Sequence, residues 1–212
     1  MIVTRITNRK NNRRLYAVYV DGEFAFDASD STILKFGLRS NDSIDEKKIE
    51  AVKAAEIQSE AQLTAVNYIS YRPRSAREVL DHLRKKGFSS ELSESIVHHF
   101  ESVSLINNLE FSRMFVRDKL RRKPTGKALL QKLLIAKGIP SAMIDQVLRE
   151  YISDEDQRSA AKALASRRMQ LTKRSLASLD PTKQKQRLTG YLLRHGFSNE
   201  IVQKTIQALF RP

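Results

Sequence analysis

The sequence predicts a mainly α-helical protein, an elongated tandem array of three-helix repeats that follows a small N-terminal β-hairpin or sheet segment. Three observations support this fold. The first 27 residues are rich in strand formers, and apolar residues follow a helical periodicity through the rest of the chain. The whole chain of 212 residues contains only 7 Gly and 5 Pro. One pattern of glycine and apolar residues recurs three times. Because three short helices bury only a small core, neighbouring repeats should stack.

The N-terminal strands are indicated by a hairpin signal at Asp21-Gly22. Residues 15–20 (LYAVYV) and 23–26 (EFAF) flank it, and both runs contain aromatic or β-branched residues. Asp-Gly favours a type I′ turn because both central residues of that turn take positive φ. Residues 2–7 predict a third strand beyond a loop at 8–14, since a hairpin alone is marginally stable in water.

Helical patterning begins after the strands. Residues 31–36 predict a short helix that stops at Gly37, and Asn41-Asp42-Ser43 predict the cap of the next helix. The apolar residues that follow Ser43 predict a helix that runs towards Tyr71, continuous or with one break.

Three glycines, Gly87, Gly138 and Gly196, anchor a repeat that aligns without gaps. Apolar residues recur eight and four positions before each glycine and five, ten and thirteen positions after it. They are Val79, Leu83, Leu92, Val97 and Phe100 in the first copy, Leu130, Leu134, Met143, Leu148 and Tyr151 in the second, and Leu188, Leu192, Ile201, Ile206 and Leu209 in the third. An ordinary helical domain with glycines placed by chance would leave these columns unexplained.

Each glycine marks the end of one helix and the approach to another. A cation precedes it in the last helical turn, where the helix dipole favours positive charge, and glycine takes the left-handed position that a Cβ disfavours. Ser89, Pro140 or Ser198 then starts the next helix. A further helix leads each pair, at residues 61–71, 108–122 and 155–171.

These repeats predict four segments along the chain. Residues 1–54 form the β-hairpin with a helical extension, and residues 55–106, 107–153 and 154–212 form the first, second and third three-helix repeats. The spacing from Gly87 to Gly138 is 51 residues, and that from Gly138 to Gly196 is longer by 7. We expect the extra residues at 172–183.

The side chains that support most enzyme chemistry are missing or badly spaced. The absence of Cys excludes disulfides, thiolate metal sites and thiol nucleophiles. His82, His98, His99 and His195 form no metal-ligand spacing, and neither a phosphate-binding glycine loop nor a serine nucleophile elbow occurs. We therefore expect no enzyme activity, no metal and no cofactor.

The chain also lacks the usual signals for membrane insertion or export. No run approaches the roughly 18 apolar residues that span a bilayer, and the start, MIVTRITNRKNNRR, lacks the apolar core of a signal peptide. We expect a soluble, cytoplasmic monomer without membrane contact.

Charge is the strongest functional signal. There are 38 Lys and Arg against 24 Asp and Glu, a net charge of +14 and an isoelectric point near 10.1, which indicate a polyanionic partner such as nucleic acid or a complex that contains it. Residues 113–127 carry seven cations against one acid, and three of the cations recur every fourth residue along one helical stripe. The candidate binding residues are Arg72, Arg74, Arg77, Arg113, Arg117, Arg121, Arg122, Lys123 and Lys127.

A looser basic group occurs in the third repeat. It comprises Arg167, Arg168, Lys173, Arg174, Lys183, Lys185 and Arg187. The alternative for every one of these clusters is a solvated basic face that binds nothing.

A helix-turn-helix DNA reader is a further alternative, since each unit has three helices and a tight turn. Its recognition helix would follow the glycine and should begin with polar or basic residues. Residues 89–101 contain no Lys or Arg, and residues 140–151 and 198–210 contain one each. The charge distribution therefore favours phosphate tracking or contact with an acidic protein groove.

These residues resemble the RecX regulatory proteins of bacteria. The similarity lies in Tyr71-Arg72-Pro73-Arg74-Ser75 leading to Leu83-Arg84-Lys85-Lys86-Gly87-Phe88, in Leu105-Ile106-Asn107-Asn108 and Phe111, and in Arg122-Lys123-Pro124-Thr125-Gly126 leading to Leu134 and Lys137-Gly138-Ile139. It covers residues 61–210, and the N-terminal strands are similar to the extension of longer members. The family usually has Gly and acidic residues where this chain has Ser104 and Asn107-Asn108.

The resemblance implies a protein that binds RecA, especially the RecA filament on single-stranded DNA, and inhibits its recombinase, ATPase and coprotease activities. Such a protein serves DNA repair, homologous recombination and the SOS response, and its repeats lie in the filament groove. The resemblance transfers no contact residues, so the candidate residues rest on charge alone. The alternatives are a sequence-independent nucleic-acid-binding protein that acts without RecA, and an adaptor scaffold whose basic face keeps it soluble.

Overall fold

The computed structural model describes residues 1–9, 12–172 and 180–210, with the backbone alone at 12–14. Within these ranges a three-stranded antiparallel sheet precedes ten helices, and three-helix units follow one another along the chain. The predicted mainly helical fold with an N-terminal sheet is confirmed. The predicted loop at 8–14 is wrong at its two ends, because β1 extends to Arg9 and β2 begins at Asn12. Residues 10 and 11 of that loop and residues 173–179 of the predicted insertion lie outside the described residues.

The bounds of the elements are as follows. The strands are β1 (Val3–Arg9), β2 (Asn12–Val20) and β3 (Glu23–Ser29). The helices are α1 (Asp30–Phe36), α2 (Glu46–Ser70), α3 (Ala76–Lys85), α4 (Ser90–Ser102), α5 (Asn108–Arg122), α6 (Lys127–Ala136), α7 (Ser141–Tyr151), α8 (Asp154–Leu171), α9 (Pro181–Arg194) and α10 (Asn199–Leu209). No described helix has an apolar stretch long enough to cross a bilayer.

The chain groups into two compact units. One contains Met1–Arg72 and Leu80–His99, and the other contains Pro73–Val79 and Phe100–Pro212. The second unit includes the apolar cores of the second and third repeats.

The N-terminal sheet forms around the predicted turn. Asp21 and Gly22 have φ of 50° and 91°, the positive values that a type I′ turn requires, and β2 lies between β1 and β3. One face of the sheet is buried together with the segment after α1 and the start of α2. This core contains Val3, Val18, Val20, Phe26, Ala28, Leu38, Ile44 and Val52.

The start of α2 differs from the prediction. The expected cap at residues 41–43 is wrong, because α2 begins at Glu46 and its N-cap is Asp45, whose carboxylate accepts from the Lys48 N–H at 2.8 Å. Ser43 instead pairs with Ile2 in a β-bridge beside the sheet. From there α2 runs without a break for 25 residues, so that Val52 belongs to the N-terminal core and Ala61 and Ala65 are buried further along.

The three glycine turns have the backbone that the repeat predicts. Gly87, Gly138 and Gly196 have φ of 95°, 75° and 84°, and they follow the ends of α3, α6 and α9. The apolar columns eight, four and ten positions from each glycine are buried in all three copies. Local residue preferences thus agree with the packing of each repeat.

Ser104 lies in the turn between α4 and α5. Its φ is 60°, a left-handed conformation that glycine adopts at no steric cost. The turn is held by two backbone hydrogen bonds, from Ser104 N–H to Glu101 O at 3.0 Å and from Ile106 N–H to Phe100 O at 3.1 Å. Asn107 then caps α5 by accepting from the N–H groups of Leu109 and Glu110.

The third repeat contacts the second at the N-terminus of α6, and we call such a contact a repeat joint. The N–H of Gly126 donates to His195 O at 2.8 Å, and the N–H of Ala128 donates to Gly196 O at 3.0 Å. Between them the N–H of Lys127 donates to Oε1 of Gln157, on α8, at 2.9 Å. Three of the N–H groups that a helix start leaves without helical partners are therefore satisfied by the following repeat.

The joint between the first and second repeats uses equivalent positions. The N–H of Ala76, the first residue of α3, donates to Oδ1 of Asn108 on α5 at 2.9 Å. Lys137, in the glycine turn of the second repeat, pairs with Glu78 on α3 at 2.7 Å. At both joints, an amide side chain on the leading helix of one repeat accepts from the first residue of the middle helix of the repeat before it.

Candidate basic interface

Helix α5 positions the second-repeat cations. Phe111 and Val116 are buried in the core of the second repeat. Because residues four apart lie on one side of a helix, Arg113, Arg117 and Arg121 lie along a different stripe from these two apolar residues. Their side chains meet three different environments.

Arg113 is held by two carboxylates. Its guanidinium donates to both oxygens of Glu150 on α7, from Nε at 2.8 Å and from Nη2 at 3.0 Å, and Nη1 donates to Glu110 at 2.6 Å. The hydrogen bonds from Arg113 lower the pKa of the Glu150 carboxyl. The hydrogen bonds to Glu150 and Glu110 raise the pKa of Arg113. With side-chain exposures of 27% for Arg113 and 35% for Glu150, this bidentate pair ties α5 to α7.

The depressed pKa of Glu150 predicts a pH-dependent contribution to stability. A carboxyl whose pKa is lower in the folded state stabilises the fold above its unfolded pKa, and this contribution disappears as the pH falls through the folded value. We expect Glu150→Gln to be less stable than the parent protein at pH 7, and this deficit to become smaller at about pH 3, as the pH falls from the usual range for Glu towards the lowered pKa of Glu150. Urea unfolding followed by circular dichroism at the two pH values measures this.

Glu155→Gln is the matched control for that experiment. Glu155 pairs with Arg158 one turn away on α8, and both side chains are largely exposed, so its removal should change stability little at either pH. An equal loss for the two variants at pH 7, or a Glu150→Gln deficit that persists unchanged at pH 3, would contradict the role given to Arg113.

Arg117 lies against an aromatic ring of the same repeat. Its Nη2 donates to the Tyr151 hydroxyl oxygen at 3.2 Å, and its guanidinium carbon is 5.9 Å from the ring centroid. The arginine is nevertheless exposed. A guanidinium held on a ring in this way keeps its charge and has a restricted set of orientations.

The C-terminal end of α5 carries strongly exposed cations. Arg121 and Arg122 share the carboxylate of Asp118, at 3.1 and 2.9 Å, with 76% and 73% of their side chains exposed. Lys123 follows in an extended conformation, and Lys127 begins α6; both are exposed. Exposed ion pairs of this kind contribute little to stability, so both arginines can exchange Asp118 for an external anion.

The first-repeat arginines are divided between the two units. Arg72 ends the first segment of the N-terminal unit, whereas Arg74 and Arg77 belong to the second unit. The stem of Arg77 packs on the glycine turn of the second repeat, because a Cβ added to Gly138 would lie 2.7 Å from the Arg77 Cβ. The side chain of Arg77 is therefore part of a repeat joint.

Several residues that shape this surface were not identified from the sequence. Glu150 and Tyr151 orient two of the arginines, and Asn108 and Gln157 link the repeats. Gln157 is 4% exposed in the structure, and a buried amide needs a partner, but this burial becomes known only from the structure. The arginine partners of Glu150 and Tyr151 are 37 and 34 residues away in sequence, and no local pattern identifies them.

Two of the four histidines, His82 and His195, contact tyrosine residues. The His82 ring stacks on Tyr68, with centroids 3.8 Å apart, and Nδ1 of His195 lies 2.8 Å from Tyr191 O, so this nitrogen carries the proton. In the described parts of the chain no group of three or more His, Asp or Glu side chains is arranged to hold a metal ion.

Four family models match the chain in order. They describe the RecX N-terminal domain (residues 1–45) and the first, second and third three-helix domains of RecX (residues 61–100, 107–148 and 154–206). Regulatory protein RecX of Lactobacillus johnsonii is 30% identical over 208 residues, which cover 98% of this chain and 74% of that protein. The Bacillus pumilus protein of the same name is 29% identical, over 98% of this chain and 77% of its own length.

Solved structures show the same relationship. A crystal structure of a regulatory protein RecX superposes with a TM-score of 0.74 at 25% identity, over 96% of this chain and 98% of that one. The crystal structure of RecX from Lactobacillus salivarius gives a TM-score of 0.62 at 26% identity, over 73% of this chain and 97% of that one.

Proposed function

Because the chain belongs to the RecX family of regulatory proteins, we propose that it binds RecA and the RecA–DNA filament and inhibits the recombinase, ATPase and coprotease activities of RecA. It acts in the cytoplasm as a monomer without a cofactor, and lies in the groove of the filament. A body that bridges successive RecA subunits competes with incoming duplex and hinders the growth or conformational cycling of the filament.

The exposed cationic end of α5 is the observation that carries this proposal. Arg121, Arg122, Lys123 and Lys127 lie together around the turn from α5 to α6, and Asp118 is the one acid in residues 113–127. A filament that holds DNA is a long anion, and a cationic surface raises its rate of association with such a partner. Three helical repeats in tandem also suit a partner whose subunits repeat.

The two repeat joints support the same proposal. Each joint is made by hydrogen bonds from the backbone N–H of a helix start, with a Lys137–Glu78 ion pair at the first and two carbonyl acceptors at the second. Bonds of this kind fix neighbouring repeats within the second unit against one another. When a partner contacts more than one repeat, the repeats then lose less conformational entropy on binding than freely jointed repeats would.

Reversing two stripe cations should reduce the inhibition of RecA. We expect Arg117→Glu/Arg121→Glu to require about tenfold more protein for half-maximal inhibition of RecA ATPase on single-stranded DNA, since the loss of cations weakens attachment to a polyanion. Neither arginine lies in the apolar core, so the helical content and melting temperature should stay close to those of the parent protein.

Arg158→Glu/Lys162→Glu on α8 is the matched control, because it changes the net charge by the same amount outside the α5 cluster. Equal loss of inhibition by both variants would show that net charge alone matters. Full inhibition by Arg117→Glu/Arg121→Glu would remove the α5 cluster from the interface, and a parent protein that leaves RecA ATPase unchanged would refute the proposed function.

A further inference from the structure

A second basic feature lies in the third repeat, between the end of α8 and α9. It is an open cleft of about 350 Å³. Its lining residues are Arg168, Thr172, Gln186, Arg187, Leu188, Gly190, Tyr191 and Arg194. Three arginines therefore line one cleft.

No acidic side chain neutralises these arginines in the described part of the chain. None of the ion pairs involves Arg168, Arg187 or Arg194. The sequence from 162 to 194 contains nine Lys and Arg and a single acid, Asp180. Arg168 and Arg194 lie in the last turns of α8 and α9, where the helix dipole favours a cation, so helix stabilisation can explain these two residues. Helix stabilisation by the dipole does not explain Arg187, which lies two turns before the end of α9.

One of the arginines is already held in place. The guanidinium of Arg168 lies 5.1 Å from the centroid of the Tyr191 ring, and His195 supports that ring from the next turn at 4.3 Å between centroids. The hydrogen bond between His195 Nδ1 and Tyr191 O orients the histidine. A guanidinium that is fixed before binding loses less conformational entropy when an anion arrives.

Gly190 is unexpected in the middle of α9, because glycine is the poorest helix former after proline. A Cβ at this position would lie 3.3 Å from Nη1 of Arg194. The missing side chain therefore gives the Arg194 head room to lie across the helix surface. A residue that weakens its own helix and opens space for a charged group indicates a functional role.

The repeat itself does not require these residues. In the gapless alignment on the turn glycines, Glu78 and Leu129 stand where the third repeat has Arg187, and Asp81 and Lys132 stand where it has Gly190. Leu129 in the second repeat contacts the Gly196 turn, and Glu78 in the first pairs with Lys137. Glu78 and Leu129 thus take part in repeat joints, whereas Arg187, at the same position of the third repeat, lines the cleft.

We infer that this cleft, which we call the α8–α9 cleft, binds a backbone phosphate of single-stranded nucleic acid. Guanidinium forks match the paired oxygens of a phosphate, and the cleft is open to solvent. Arg187 and Arg194 contact the phosphate oxygens, and Arg168, held on Tyr191, adds charge from the facing helix. This site goes beyond the RecA-directed function and needs no RecA.

The test measures binding of the full chain to fluorescein-labelled oligothymidine by fluorescence anisotropy, without RecA, over a range of NaCl concentrations. We expect Arg187→Gln/Arg194→Gln to bind at least about tenfold more weakly. The slope of log K against log salt should become shallower by about 0.7 for each phosphate that the variant no longer neutralises. Gly190→Leu should also weaken binding, because it fills the cleft while the charge stays constant.

Arg158→Gln/Lys162→Gln is the control, since it removes two charges from α8 outside the cleft. Equal losses in the cleft variant and this control, or full binding by Gly190→Leu, would overturn the inference. Isothermal titration calorimetry with inorganic pyrophosphate distinguishes binding of a free phosphate compound from binding of the phosphates of a nucleic-acid backbone. If pyrophosphate binding depends on the arginines and oligothymidine binding does not, the assignment to nucleic acid is wrong. The RecA ATPase assay is separate, so failure here leaves the proposed function intact.

Discussion

Gly196→Ala is expected to lower the free energy of unfolding by about 3 kcal/mol, through the joint between the second and third repeats. Two costs add. Gly196 has φ of 84°, and an L-residue with a side chain in that region loses about 1–2 kcal/mol. A Cβ at Gly196 would also overlap the Leu129 backbone and side chain, and such overpacking costs about 1–3 kcal/mol.

Gly87→Ala is the matched control within the same chain. Gly87 occupies the equivalent turn of the first repeat and has a similar φ of 95°, but a Cβ there would meet nothing within 4 Å. Only the backbone cost applies, about 1–2 kcal/mol. Urea unfolding of both variants, together with amide exchange of the Gly126 and Ala128 N–H groups, measures the difference. Equal destabilisation by the two substitutions would show that the joint tolerates a side chain at Gly196.

Gln157→Leu should destabilise the same joint by about 2 kcal/mol. The Gln157 side chain accepts from the Lys127 N–H at 2.9 Å and donates to Thr125 O at 3.4 Å. Leucine can do neither, and a buried polar group left without its partner costs about 1–3 kcal/mol. We expect faster hydrogen exchange at the Lys127 amide and an earlier unfolding of the third repeat.

The control for that substitution is Gln170→Leu. Gln170 is exposed near the end of α8, so the same chemical change should alter stability by less than about 0.5 kcal/mol. Protection of the Lys127 amide that is unchanged in Gln157→Leu would mean that the hydrogen bond across the joint contributes nothing to stability.

Much of the fold could be predicted because its signals are local. The Asp21-Gly22 turn, the stop at Gly37 and the three turn glycines each depend on φ values that one or two residues impose. The apolar columns follow because each repeat buries the same face of each helix. The cap predicted at residues 41–43 was wrong for the opposite reason, since Ser43 forms a bridge with Ile2 beside the N-terminal sheet and the helix starts at Glu46.

The candidate binding surfaces could be predicted only as charge. Arg113, Arg117 and Arg121 follow one spacing, yet a carboxylate pair holds the first, an aromatic ring holds the second, and the third is mostly exposed. Glu150 and Tyr151, which hold the first two, lie on α7, 37 and 34 residues along the chain. In the third repeat the sequence showed cations, and the structure showed that Arg168, Arg187 and Arg194 line one cleft.

The sequence by itself determined the repeat, its turns, its buried faces and its excess of positive charge, because each of these depends on residue type and on spacing within a helix or turn. Tertiary structure decided which cations are paired with a neighbour and which are left exposed, and how the repeats of the second unit are joined. Those properties depend on distances between residues far apart in the chain, such as Gln157 to Lys127 or Arg113 to Glu150, and only the packing of one helix on another sets such distances.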